Sequence, residues 1–239
     1  MKDIYLTIDD CPTADFRNKV DFLSAKGIPA ILFCVGCQME ERPDDIVYAI
    51  KKGFIIGNHS YDHPKFSTIP LEMGDAQITR TDRIIEVLYK QAGTKRPIKV
   101  FRFPHGDRGT EATRTGFQSV LRKVGYKQPV FDRITYGSYL DAKMPYYLDT
   151  YWTYDSRDYT VARYRQMGDD SPYGFSSPSL IFERIQADAT EQGKGLRFAG
   201  SNDIFLIHDN VLTADLFVDV INRLAQMDVR FKLPFFSQT

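Results

Sequence analysis

Short runs of branched and aromatic residues alternate along this chain with longer segments whose apolar positions recur every three or four residues. The run IYLTI leads into Asp9, and the next segment, Asp15 to Lys26, carries Phe16, Val20, Phe22 and Leu23 at roughly helical spacing, stops at Gly27 and is followed by AILFCV. Brief apolar runs between turn residues predict buried strands, and a 3.6-residue period predicts helices. The unit recurs. A helix from Asp44 to Lys52 ends at Gly53 before FIIGN, another from about Asp75 to Gln91 ends at Gly93 before IKVFRFP, and a third from about Thr110 to Val124 ends at Gly125. Further on, the pattern predicts strands near PVFD and LDTYWTYD, helices near Ser179 to Gln192 and Ala214 to Met227 flanking the strand IFLIHD, and VRFKLP as a closing strand. Such alternation predicts an α/β fold of parallel strands, and in a barrel of that type functional groups gather on the loops after the strands' carboxyl ends.

The stretch 136–178 breaks this rhythm. It holds Tyr136, Tyr139, Tyr146, Tyr147, Tyr151, Trp152, Tyr154, Tyr159, Tyr164 and Tyr173 among Asp, Gly and Pro residues, and is expected to be a long insertion. Most of its rings should pack against the barrel, aromatic burial being the commoner use, while any beside the site would offer a face to a sugar.

The chain has 239 residues and a formal net charge of zero, which suits one domain over 1–239 and leaves no basic surface to hold nucleic acid or an anionic membrane. No apolar run approaches the ~20 residues of a membrane span. MKDIYLTIDD passes straight into the first strand, so the chain reads as cytoplasmic, with a secreted or envelope location open if a leader has been removed. Cys11, Cys34 and Cys37 are too few for a disulfide framework, and Cys34 and Cys37 lack the partners of a zinc knuckle. Cys11 would approach Cys37 if the first two strands are neighbours.

The candidate chemistry lies at the strand ends. All four histidines fall in short motifs: His59 and His63 in GNHSYDHP, His105 in RFPHG, and His208 in FLIHDN; Asp9 and Asp10 are paired in LTIDDCP. A lone histidine is more often structural than a ligand, but six such groups after strands are expected to converge on one rim. A turn would bring His59 and His63 onto one face, although Pro64 should hold His63 extended. With Asp10 as third ligand they offer zinc two imidazoles and a carboxylate, leaving a position open.

The ordered motifs TIDDCP, NHSYDH, RFPHG, DSRDY and FLIH resemble the five motifs of the polysaccharide deacetylase family, also known as the NodB-homology or carbohydrate esterase family four domain. The resemblance runs from Asp9 to His208. It implies a distorted (β/α) barrel that removes N-acetyl or O-acetyl groups from glycans such as peptidoglycan, chitin or xylan with one divalent metal ion. That ion is expected to be zinc, with cobalt, nickel and manganese as alternatives. By motif, Asp10, His59 and His63 would hold the metal and Asp9 would be the general base, paired with Arg102. His208 would be the general acid, held by Asp158. The backbone N–H of His105 would stabilise the oxyanion, and Leu206 would receive the acetyl methyl.

Three departures stand out. Cys11 replaces a glycine and would place a thiol by the metal, as a soft ligand or an oxidant-sensitive group. His105 replaces a tyrosine and Tyr159 a tryptophan, both in the groove wall. The leading expectation is an N-deacetylase acting on an acetylated glycan. Alternatives are an O-acetyl esterase, a deformylase or deacetylase of a lipid- or nucleotide-linked sugar, and a sugar-binding pseudoenzyme.

Overall fold

Strand β1 (Lys2–Cys11) is buried along almost its whole length, and its side chains divide by parity. Ile4, Leu6 and Ile8 join the large apolar cluster beneath the helices, whereas Tyr5 belongs to a separate inner cluster and Thr7 and Asp9 both reach Arg102 across the interior. This two-residue period with both faces covered is the mark of a parallel strand inside an α/β fold.

The computed structural model describes residues 1–168, 174–190 and 193–236. After β1 come α1 (Phe16–Ala25), β2 (Ala30–Cys34), α2 (Gly36–Glu41), α3 (Pro43–Lys51), β3 (Ile55–Asn58), α4 (Leu71–Gln91) and α5 (Glu111–Val124). They are followed by α6 (Gly137–Asp141), β4 (Tyr154–Asp155), α7 (Asp158–Met167), α8 (Pro178–Gln186), the hairpin strands β5 (Ala189–Thr190) and β6 (Gly193–Lys194), then β7 (Asp203–His208), α9 (Ala214–Ala225) and β8 (Val229–Phe231). The main sheet runs β3-β2-β1-β7-β4 with every pairing parallel, and β8 pairs with the first residues of β1.

The predicted glycine stops hold. Gly53, for example, lies just beyond α3 at φ 90°, a conformation that costs an L-residue strain but costs glycine little. α5 starts on a reciprocal cap in which the Thr110 hydroxyl accepts from the Thr113 N–H and the Thr113 hydroxyl accepts from the Thr110 N–H.

Several predicted strands are shorter than their composition suggested. IKVFRFP forms one bridge, Phe101 with Asn58, because Pro97 and Pro104 bracket it and neither can donate to a ladder. PVFD reduces to a bridge between Val130 and Phe235, and only Tyr154–Asp155 of LDTYWTYD joins the sheet. The fragments still close the barrel: Thr150 N–H donates to the Phe101 carbonyl at 2.7 Å, and Thr153 N–H to that of Ile204 at 3.0 Å. VRFKLP supplies the last strand, β8, which extends the sheet at the amino end of β1.

The helix expected to run to Gln192 ends at Gln186, because beyond Ile185 its face has no large apolar side chain left to bury; residues 191–192 lie outside the described set. The aromatic stretch is likewise not one long loop. It contains α6, β4 and α7, and its rings range from the buried Tyr139 and Tyr154 to the exposed Tyr146; Tyr173 lies outside the described residues. Among the described residues, no helix is long and apolar enough to cross a membrane.

Candidate active site

The carboxyl end of β1 turns sharply at Asp10, whose φ is 63°, so that Asp9 and Asp10 both line a cleft of about 310 Å³. Asp9 lies beside His208 in the parallel register of β1 and β7. Its Oδ1 accepts from Arg102 Nη1 at 2.7 Å, and that guanidinium also donates to Thr7 Oγ1, the Thr150 carbonyl and the Tyr151 carbonyl. Arg102 is 1 % exposed and stacked over Phe33 at 4.4 Å, so the carboxylate it holds has a fixed direction.

His59 and His63 come from the loop after β3, which is a turn and not a helix. Pro64 was expected to keep His63 extended, yet its φ is 61°; the Ser60 hydroxyl accepts the His63 N–H at 3.2 Å, and Ser60 itself has φ 63°. This local hydrogen bonding overrides the pre-proline preference. His59 Nδ1 lies 2.8 Å from the Arg102 carbonyl, which makes Nδ1 the donor and leaves Nε2 with a free lone pair. Nε2 of His59 is 3.5 Å from Asp10 Oδ1, and Nε2 of His63 is 3.1 Å from the same oxygen.

Asp10 Oδ1 is buried without a hydrogen-bond partner. An orphaned carboxylate oxygen facing two imidazole nitrogens, with candidate ligand atoms all within 4.8 Å of one another, is a donor set that fits a divalent cation. Burial works to raise the Asp10 carboxyl, but the neighbouring His63 imidazole and the charges of His208 and His59 hold it well below the usual carboxylate range. Burial lowers His59 to about 4, against the pull of Asp9, and so keeps it neutral as a ligand must be.

Across the cleft, His208 Nδ1 is 2.9 Å from Asp158 Oδ1, and the His208 backbone N–H donates to the other carboxylate oxygen at 3.2 Å. Ser156 Oγ donates to Asp158 Oδ1 at 2.6 Å. Burial acts to lower the His208 pKa, but the charge and hydrogen bond of Asp158, then Asp10 and Asp9, raise it to about 10. Its ring is therefore an imidazolium at neutral pH.

Leu206 and Tyr159 line the cleft, the Tyr159 ring meeting that of His208 edge-on at 5.2 Å. His105 is exposed, with φ 58° and its ring 4.5 Å from that of His63; burial and the charge of His63 lower its pKa. Every site residue expected from sequence thus borders the cleft or fastens one that does.

Cys11 departs from expectation. Its Sγ turns away from the cleft toward the carbonyls of Ile8 and Asp9, and the residue joins the apolar cluster opposite Cys34, not Cys37. All three cysteines are free thiols.

Three cleft residues went unrecognised in the sequence. Trp152 was one ring among many, and is set here by stacking on Tyr151 at 4.1 Å; Gly106 leaves room for it, since a Cβ there would come within 2.8 Å of the indole. Asp155, first acid of DSRDY, accepts the Arg157 N–H at 2.8 Å, and burial raises its carboxyl. The motif carrying Asp158 contained that signal.

A parallel α/β barrel with a carboxylate held by arginine, an imidazole held by aspartate and a cation-ready cluster between them, all at the strands' carboxyl ends, has the build of an acid–base hydrolase. The chain belongs to the polysaccharide deacetylase family, whose model matches residues 1–129. It is 31% identical over 106 residues to the peptidoglycan-N-acetylglucosamine deacetylase of Bacillus cereus, covering 44% of this chain and 37% of that protein. It is 29% identical over 104 residues to the chitooligosaccharide deacetylase of Sinorhizobium fredii, covering 43% and 46%. These matches span less than half of either relative. Among solved structures, a family 4 carbohydrate esterase from Streptomyces lividans in complex with acetate superposes with TM-score 0.61 at 22% identity, over 95% of this chain and 90% of that one. A family 4 pseudoenzyme from Bacillus anthracis gives 0.61 at 17% identity, over 95% and 63%. The fold is thus the distorted deacetylase barrel.

Proposed function

We propose that this protein is a metal-dependent N-deacetylase that hydrolyses the acetamide of an N-acetylated sugar within a glycan and releases acetate. The observation that carries the reading is the partnerless, buried Asp10 Oδ1 between His59 Nε2 and His63 Nε2, flanked by the Asp9–Arg102 and His208–Asp158 pairs. The names of the curated relatives supply the substrate class, an N-acetylated amino sugar.

Asp10, His59 and His63 would hold the cation, zinc being well suited to this donor set. When bound, it would supply Lewis acidity and lower the pKa of water at the site. Asp9 takes the proton from the attacking water; Arg102 aims its carboxylate for that purpose. The His105 backbone N–H serves the oxyanion. His208 donates its proton to the nitrogen of the departing amino sugar, a leaving group that cannot leave as an anion, and Asp158 keeps that proton in place until then. Leu206 gives the acetyl methyl an apolar wall, with Trp152 and Tyr159 beside the sugar. A pseudoenzyme would have no chemical need for both held pairs around the cation site.

Acetate release from N-acetylated chito-oligosaccharides and from acetylated xylan, with and without chelator, tests the proposal. Chelator-sensitive release from the first substrate is expected. Release from xylan alone would overturn the N-deacetylase reading, and release from neither substrate by metal-loaded protein would argue for a binding role.

A further inference from the structure

We propose that Tyr126, with Asn58, is a positioning residue for the metal-binding loop, transmitting a fixed anchor on α4 to the turn that carries His59 and His63. The inference rests on the cation site argued above.

Asn58 ends β3 immediately before His59 and is fully buried. Its side chain faces two ways. Nδ2 donates to the Ile78 carbonyl at 2.9 Å and to the Tyr126 hydroxyl at 2.6 Å, while Oδ1 accepts the Ser60 N–H at 2.8 Å. Ser60 occupies the left-handed region and its hydroxyl accepts the His63 N–H. The amide of Asn58 therefore selects the backbone conformation from which His63 departs.

The Tyr126 hydroxyl is the link. It accepts from Asn58 and donates to Asp82 Oδ1 at 2.9 Å, and Asp82 is held by Arg96 at 2.6 Å and Lys99 at 2.7 Å. A carboxylate fixed by two cations fixes the direction of the phenol O–H, and the phenol oxygen then admits only the Nδ2 edge of Asn58. With that edge committed, Oδ1 must face Ser60. A flipped amide would set Nδ2 against the Ser60 N–H, donor against donor, and Oδ1 against the Ile78 carbonyl.

From the same helix, Gln77 Oε1 accepts the N–H groups of Tyr61 and Asp62 at 2.8 and 3.0 Å, so α4 fastens both arms of the turn. Partners behind metal ligands commonly govern affinity by roughly ten- to a hundredfold, and two groups intervene here, so the lower end applies.

Tyr126→Phe removes one oxygen. Asn58 keeps the Ile78 carbonyl and Asp82 keeps both cations, so the barrel should fold. Full-length protein stripped of metal is titrated with zinc against a competing chelator, and with cobalt(II), whose visible absorption reports ligand geometry. The expected result is about tenfold weaker zinc affinity and a changed cobalt spectrum in Tyr126→Phe. A core control far from the loop, Ile221→Val, should lower the unfolding midpoint and leave both readouts at wild-type values. Affinity within twofold of wild type in Tyr126→Phe, or an equal loss in Ile221→Val, would overturn the inference while leaving the cation site standing. Wild-type protein that binds neither metal would overturn the site itself, and the inference with it.

Discussion

Asp9 and Asp10 are adjacent in sequence and chemically alike, yet the fold gives them different work. Asp9 lies in the ladder with His208 beside it and Arg102 on one oxygen, whereas Asp10, past the reversal at φ 63°, presents an oxygen without a donor to two imidazoles. Asp9→Asn keeps the shape and an acceptor for Arg102 but removes the base; acetate assays should show kcat lower by roughly 10²- to 10⁴-fold, with metal content unchanged by elemental analysis. Loss of metal together with activity would reassign Asp9 as a ligand. His208 provides a pH test. Its folded pKa, about 10, lies above the ordinary histidine value, so the stability it contributes with Asp158 is fully present below about pH 6.5 and fades as pH rises through about 10. Asp158→Asn should move the alkaline limb of kcat/KM to lower pH, and its stability deficit in urea should be larger at pH 6 than at pH 10. An unmoved alkaline limb would detach Asp158 from the acid.

At the scale of elements, the helices were legible because their periodicity and glycine stops are local signals. Gly53 follows α3 at φ 90° and a Cβ added there would meet no atom within 4 Å, so Gly53→Ala makes no clash and suffers only the backbone penalty. Urea unfolding should show a loss of about 1 kcal/mol with KM unchanged; a neutral result would mean that the loop relaxes to negative φ. Strands were harder to read. KVFRFP has the composition of a strand, but Pro97 and Pro104 limit its ladder, and its contribution is Arg102, which braces Asp9 by its side chain and His59 by its carbonyl. α7 escaped notice because only Asp158, Val161 and Ala162 along it are buried, too weak an apolar face to register in sequence.

For the whole molecule, the cation site joins β1 to the loop after β3, segments about 50 residues apart that approach only in the folded state. An ion bound there favours the folded form by mass action. Adding zinc to metal-free protein should raise Tm progressively with concentration, by an amount equivalent to roughly 2.7 kcal/mol at a hundredfold excess over Kd. A Tm insensitive to metal would contradict a site made only by folding. Differential scanning calorimetry of the stripped and reloaded protein measures this directly.

The sequence by itself determined the alternation of strands and helices, the family motifs and the types of functional group, because periodicity, turn chemistry and residue identity are written locally. Only the tertiary structure decided that Cys11 turns into the core opposite Cys34, that Trp152, Asp155 and Gly106 wall the cleft, and that Asn58 answers to Tyr126 and Asp82. Those outcomes depend on backbone reversals and on partners many residues away. A reversal such as that at Asp10 redirects every following side chain, and no spacing rule along the chain encodes which distant atom will meet it.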